Sequence, residues 1–414
     1  MRIVSGMRPT GKLHLGHYFG VIKNWLKLQD SNECFFFVAD WHALTNKYKE
    51  TSDLKQNIYD LVIDWLSCGI NPEKSTIFVQ SGVKEHSELA LLFGMITPKS
   101  WLELNPSYKD LKFNLIFQYI RDFLFGKNIK IDQDKLHEIV YKAFYHKKDI
   151  DYEGLTKDLT DLKIKQEIVN EIAHNIKEGD IGKDIDTFGF FGYPILMAAD
   201  ILIYNADAVP VGEDQLPHIE ITREIARRFN NLYSPIFKEP QALLTESSKL
   251  LGTDGRKMSK SYNNTIALNE PRETLEKKVL SMKTDPQRLK KTDPGRPEIC
   301  NVFSYHKYFT NLQEVDKIQA KCRNAEIGCV ECKRILFENI DRFLSPIREK
   351  RKEYEENIEY VEKIIITGTQ KAKEAAKENM KNVRNAMGLI NFWRLQIFNL
   401  TSVVKWSNIK IRFK

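Results

Sequence analysis

No apolar run in this 414-residue chain approaches the roughly 20 residues that a bilayer-spanning helix needs, so a protein outside the membrane is expected. The opening MRIVSG lacks the basic stretch, apolar segment and small-residue cleavage site of an export signal, which points to a cytoplasmic location. Cysteine is scarce. Of six, four crowd into residues 300–332, too uneven for a disulfide framework and suited to a reducing compartment. Internal repeats and low-complexity tracts are absent. Neither charge dominates: 63 Lys and Arg against 56 Asp and Glu leave +7, which permits a polyanionic partner without demanding one. The length is enough for two or more cores.

The first half alternates strand and helix signals. Arg2–Ser5 is a short apolar strand that runs into a loop over Gly6–Lys12, punctuated by Pro9 and Gly11. Tyr18–Leu28 has helical spacing, Cys34–Ala39 is a continuous apolar run, and Ser52–Leu66 is amphipathic. Thr76–Val79 is strand-like and His86–Met95 helical. Further on, Tyr193–Tyr204 is helical, Ala208–Val211 a strand, and a helix follows around His218–Phe229. Such alternation predicts a doubly wound, Rossmann-like parallel sheet, with ligands beyond the carboxyl ends of its strands.

Residues 108–186 break the pattern with three or four helical stretches and few strand signals, and are expected to form an inserted helical module. Its lysines, including Lys142, Lys147 and Lys148, offer either an RNA-facing surface or an ordinary solvated face. The expected organisation is therefore 1–107 and 187–282 as two halves of one α/β domain around the module. A helical domain over 283–389 and an extension over 390–414 complete it.

Two motifs suggest phosphate chemistry. In His14-Leu15-Gly16-His17 a turn feeds a helix, placing imidazoles and backbone N–H groups where an anion is favoured, with Gly16 admitting a nucleotide. Some 240 residues later, Lys257-Met258-Ser259-Lys260-Ser261 sets two ammonium groups and two hydroxyls on a loop flanked by Gly252 and Gly255. Lysine supplies compact charge to a leaving pyrophosphate, and the glycines suit a loop that closes over a nucleotide.

The pair HLGH and KMSKS resembles the signature of class I aminoacyl-tRNA synthetases, and GYPILMAADILIYNADAVPVGEDQ resembles the tryptophanyl-tRNA synthetases among them. The resemblance covers about 1–108, 186–270 and 283–389. It implies His14, His17, Lys257 and Lys260 as catalytic. ATP with Mg²⁺ would meet Arg8, Pro9, Thr10, Gly16, His17, Gly212, Glu213, Asp214 and the loop Lys257, Met258, Ser259, Lys260 and Ser261. It further implies that Asp200 accepts the indole N–H of L-tryptophan, that Met197, Ile201, Val209 and Val211 wall the ring, and that Tyr193 and Gln215 hold the ammonium group. The partners implied are tRNA(Trp) and a second copy of the chain. A buried carboxylate left without its N–H donor would penalise phenylalanine and misplace tyrosine.

The thiols of Cys300, Cys322, Cys329 and Cys332, spaced C-x21-C-x6-C-x2-C, suit either tetrahedral zinc or a [4Fe–4S] cluster. Here DPGRPEIC, CRNAEIGC and CKR resemble the iron–sulfur type of tryptophanyl-tRNA synthetase, which implies the cluster. Cys34 and Cys68 are expected in the core. A tyrosyl enzyme, a small-molecule nucleotidyltransferase and a non-catalytic RNA-binding paralogue are the rival readings. Asp200 argues against the first and the lysine loop against the second; the intact motifs argue against the third.

Overall fold

The computed structural model describes residues 1–103, 106–145, 150–177, 187–244 and 250–390, with side chains at 106–109, 111, 112 and 261 outside the description. The extension after Ile390, Lys147, Lys148 and the Ser261 side chain thus lie outside the described residues.

Five strands form one parallel sheet: β1 (Arg2–Met7), β2 (Glu33–Val38), β3 (Ser75–Val79), β4 (Ala208–Val211) and β5 (Gln241–Leu244), in the order β3-β2-β1-β4-β5. Side chains alternate across the strands. Ile3, Phe36 and Ile77 enter one core, with Trp25 stacked on Phe36 at 4.2 Å; Val4, Phe35, Phe37 and Phe78 enter the other. A sheet covered on both faces explains why β2 is apolar throughout. The chain winds outward from β1 through β2 and β3, then returns to the opposite side for β4. Between β1 and β4 lies the switch point, where the loops after two adjacent strands part and leave a crevice.

The sequence expectation of a Rossmann-like sheet holds. Among the elements not anticipated are the helix Asp40–Lys47, which follows β2 directly, and the edge strand β5. One expected boundary moves. The helix carrying Asp200 runs Phe188–Leu202, begun by the Thr187 side chain accepting Phe190 N–H at 3.2 Å, so Pro194 falls within it.

Between α/β halves, the helices Pro106–Gly126, Gln133–Tyr145, Tyr152–Asp161 and Gln166–Lys177 bury their own stripe, including Ile120, Leu136, Val140, Leu159 and Ile172. Residues 108–186 carry 14 Lys and Arg against 16 Asp and Glu, so their net charge is slightly negative, and Lys142 pairs with Asp158 at 2.9 Å.

Two long helices end the described chain. Cys329–Glu356 packs against Leu54–Ser67, and Ile358–Ala386 lies along edge strand β3. There Gly368 meets backbone: a Cβ on it would come 1.8 Å from the Ile77 carbonyl oxygen, so no larger residue fits. Next to it, Thr369 Oγ1 stands 3.5 Å from the Val79 N–H.

Candidate active site

At the switch point a cavity of about 580 Å³ opens between β1, β4 and the helices Asp40–Lys47 and Phe188–Leu202. All seven residues expected around tryptophan line it: Tyr193, Met197, Asp200, Ile201, Val209, Val211 and Gln215. Arg8 and Gly212 do so too, from the loops after β1 and β4. A Cβ on Gly212 would lie 2.6 Å from Oδ1 of the exposed Asp214 side chain, which would have to turn away. Glu213 and Asp214 stand beside the cavity as an exposed turn rather than in its wall, with Gln215 Nε2 donating to Asp214 Oδ2 at 2.8 Å.

Asp200 forms the polar base of this cavity at 1% exposure. Burial alone would raise its carboxyl pKa, but hydrogen bonds and charge from His42 and His86 outweigh that and hold it below the usual range. Its Oδ1 accepts from Gln80 Nε2 at 2.8 Å and His86 Nδ1 at 2.6 Å; Oδ2 accepts from His42 Nε2 at 2.8 Å. An ionised carboxylate only accepts, so both rings present N–H groups to it. Burial keeps the Tyr204 phenol protonated, 2.7 Å from His86 Nε2. With the phenol donating to Nε2, His86 turns its Nδ1–H toward Asp200. Gln80 is oriented in turn by accepting the Trp41 N–H at 3.1 Å.

His42, Gln80 and His86 are the residues that sequence reasoning missed. They come from three separate elements, and His42 lies on the unanticipated helix. The available signal was an acidic residue, Asp40, directly after the apolar run of β2, where helices favour acids.

The nucleotide motifs adjoin this cavity through the loop after β1. His14 opens a short helical turn, Leu15–His17, which passes into a π-turn, Tyr18–Ile22, and then the helix Lys23–Leu28. The two imidazoles lie with centroids 3.7 Å apart, and His17 Nδ1 accepts the His14 backbone N–H at 3.2 Å. Burial lowers both pKa values, to about 4 for His14 and about 3 for His17, reinforced by Lys260 and, for His17, by His14. Both are therefore neutral donors near pH 7, and the His17 proton sits on Nε2 because Nδ1 is accepting. His14 Nδ1 is buried with no hydrogen-bond partner among the described residues.

The lysine loop is already docked here. Lys260 Nζ donates to the Thr10 carbonyl at 2.9 Å, and Met258 is buried with its sulfur toward Gly16. Lost hydration lowers the Lys260 pKa, opposed by the charge of Asp64. Lys257 is exposed. Asn264 sets the loop's shape: it accepts Ser259 N–H at 2.8 Å and donates to the Lys257 carbonyl at 3.0 Å. Past the loop, Leu15 N–H donates to Ile266 O and Leu268 N–H to Leu13 O, so the two motifs are stitched together by backbone. Pro9 is buried in the same turn.

The four clustered thiols converge on one another, while Cys34 and Cys68 stand apart with thiols kept protonated by burial. Burial raises Cys332 to about 12, and the other three thiols add to the shift. Cys322 is likewise raised, by burial first and then by Cys300 and Cys329, with Arg288 opposing at 3.6 Å from its sulfur. Gly295 packs so closely that a Cβ would lie 2.4 Å from Cys322 Sγ. No disulfide forms among them. Among the described residues no three His, Cys, Asp or Glu side chains close around a point as one metal ion would require.

A cleft at a switch point, with a pair of neutral imidazoles and a docked lysine loop beside it, is the place where a doubly wound sheet takes its ligand. The chain matches the family model of class I tRNA synthetases (W and Y) over residues 1–143 and 129–345, and it belongs to that family. The relatives narrow the type. A tryptophan–tRNA ligase of Aquifex aeolicus is 56% identical over 397 residues, covering 94% of this chain and all of the relative. One from Thermotoga maritima is 47% identical over 392 residues with the same coverage. The solved tryptophanyl-tRNA synthetase of Campylobacter jejuni, complexed with ADP and tryptophan, is 32% identical. It aligns at a TM-score of 0.71 over 94% of this chain and all of that one. No helix among the described residues is long and apolar enough to cross a membrane.

Proposed function

We infer that this chain is a tryptophan–tRNA ligase. It activates L-tryptophan with ATP to tryptophanyl-adenylate and pyrophosphate, then passes tryptophan to the 3′ end of its tRNA. The observation that carries this reading is the cavity in which an ionised, buried Asp200 faces apolar walls one loop away from the neutral His14–His17 pair.

Asp200 is fully engaged before any ligand arrives, so an indole N–H binds by taking the place of one donor. His42 is the donor to yield, because its side chain is 12% exposed at the cavity while His86 is at 0%. The exchange keeps the carboxylate satisfied. A ring without an N–H gains nothing for displacing His42, which is how the site discriminates against phenylalanine. Tyr193 and Gln215 hold the ammonium end.

The substrate carboxylate then bonds to the α-phosphorus as the bond to pyrophosphate breaks. Negative charge moves to the leaving group, where Lys257 and Lys260 neutralise it together with the Mg²⁺ that accompanies ATP. His14 and His17 donate to the phosphate oxygens as neutral rings, and Gly212, Glu213 and Asp214 meet the adenosine. A terminal ribose hydroxyl of tRNA(Trp) next attacks the adenylate carbonyl and AMP leaves. Catalysis here is placement and charge, with no covalent enzyme intermediate. Tryptophan-dependent exchange of pyrophosphate into ATP, with tyrosine as control, tests the reading; equal exchange with tyrosine overturns it.

Cys300, Cys322, Cys329 and Cys332 we assign to a [4Fe–4S] cluster, with structural zinc as the alternative. The support is the resemblance of DPGRPEIC, CRNAEIGC and CKR to the iron–sulfur type, together with the nearness of the other three thiols to Cys332, whose pKa each of them helps to raise. A homodimer in the cytoplasm completes the reading by resemblance.

A further inference from the structure

Beneath the first motif lies a buried ionic group that the proposed reaction leaves unused. Asp64, on the helix Leu54–Ser67, accepts the Leu13 backbone N–H through Oδ2 at 2.9 Å. Its other oxygen accepts from Arg351 Nη1. Arg351 reaches across from the helix Cys329–Glu356 and also donates through Nη2 to Asp60 Oδ1 at 2.7 Å and through Nε to Glu355 at 2.8 Å. Asp64 and Arg351 are 1% and 2% exposed.

Such a pair adds little to stability, because removing two charges from water costs about what their attraction returns, and apolar residues of the same shape would serve the core as well. What an apolar set could not do is hold the Leu13 N–H, one peptide before His14. Nor could it act on Lys260, whose ammonium feels the Asp64 charge from the other side of the turn. Asp64 thus touches or acts on the residue leading into the first motif, the lysine loop and the C-terminal helix at once. That helix is continuous for 28 residues, with Cys329 and Cys332 in its first turn and Arg351 roughly 33 Å further along at 1.5 Å per residue.

We propose that Asp64, held by Arg351, is a positioning residue for adenylate formation: it fixes the Lys12–Leu13 peptide, which leads into His14, relative to Lys260, and through Arg351 the cysteine-bearing helix bears directly on the nucleotide end of the site. The proposal deepens the reading above and rests on it for the reaction measured.

Asp60 provides the control, since it shares Arg351 but makes no bond to the first motif. In tryptophan-dependent pyrophosphate exchange, Asp64→Ala should raise the KM for ATP and lower kcat, each at least tenfold, while the KM for tryptophan moves less than twofold. Arg351→Met should shift the same constants in the same direction, and the double variant should be no worse than the worse single. Asp60→Ala should lower the melting temperature and leave the ATP constants within twofold of wild type. Wild-type ATP constants in Asp64→Ala, or equal kinetic damage from Asp60→Ala, would overturn the proposal and leave a merely structural network. Should Asp64→Ala fail to fold, Asp64→Asn removes the charge that holds Arg351 and acts on Lys260, and an unchanged ATP KM in it would overturn the proposal equally. Wild type that shows no tryptophan-dependent exchange defeats the functional reading instead; calorimetric ATP affinity of Asp64→Asn against wild type then decides the positioning role separately.

Discussion

An Asp200→Asn substitution exchanges one carboxylate oxygen for an amide nitrogen where three side chains already aim donors. Gln80 and His86 approach Oδ1, while His42 and Gln80 approach Oδ2. The new nitrogen cannot face His86, because the Tyr204 phenol fixes that ring's proton toward position 200. It must face His42, whose partly exposed ring can move its proton to the other nitrogen and accept. The variant therefore folds, but the indole N–H meets a donor where wild type offers a charged acceptor. A hydrogen bond to a charged group is worth about 1.5–3 kcal/mol. At about 1.4 kcal/mol per decade, that is roughly a 10- to 150-fold loss in kcat/KM for tryptophan. Pyrophosphate exchange at varied tryptophan, with circular dichroism to verify folding, measures it. A folded variant whose kcat/KM for tryptophan stays within twofold of wild type would remove Asp200 from substrate recognition.

Lys257→Ala and Lys260→Ala should each lower the exchange kcat on the order of 100-fold while the tryptophan KM holds, since their charge serves the departing pyrophosphate; near-wild-type exchange would make the loop an ordinary basic surface. His14, His17, His218 and His306, lowered by burial to about 4, about 3, about 4 and about 4, stay neutral in the fold below the pH at which unfolded histidine takes a proton. The unfolded chain then binds more protons, so stability should fall as pH drops from 6.5 toward 4. Asp64, raised to about 6, opposes this in the same window but is one group against four. A urea midpoint no lower at pH 5 than at pH 7 would contradict the assignment. Deleting the inserted module should leave exchange within a few-fold of wild type and the salt dependence of the tRNA KM unchanged, because its core is its own and its charges nearly cancel; loss of exchange would show that it braces the site. Anaerobically purified protein should carry about four irons per chain. Cys329→Ser should lose them and charge tRNA poorly while still forming adenylate, and one zinc without iron would replace the cluster with a structural ion.

Local pattern and long-range pairing were legible to different degrees. Asp200 could be read because its whole helix and the following strand and turn are contiguous in sequence. Its partners could not: Gln80, His86 and His42 lie 120, 114 and 158 residues away, and only the order of strands in the sheet brings them together. Asp64 and Arg351 are separated further still, by 287 residues. The strand β5 escaped notice because Gln241–Leu244 contains no β-branched or aromatic residue and becomes a strand only by pairing with β4. The helix Asp40–Lys47 has no side-chain cap and few apolar positions, so neither of the usual signs announced it. By contrast, the continuous apolar run of β2 reported a sheet buried on both faces, and the module's 3.6-residue stripes reported helices.

The seat of Gly368 against the Ile77 carbonyl has a consequence for how the protein is made. The strand edge that it covers leaves the ribosome 291 residues before its cover does. At roughly 5–20 residues per second, the nascent chain carries that bare edge for about 15–60 s. An unpaired strand edge is a template for pairing with other chains. Until the helix Ile358–Ala386 emerges, that edge stays open to pairing, and a product cut short before Gly368 keeps it open.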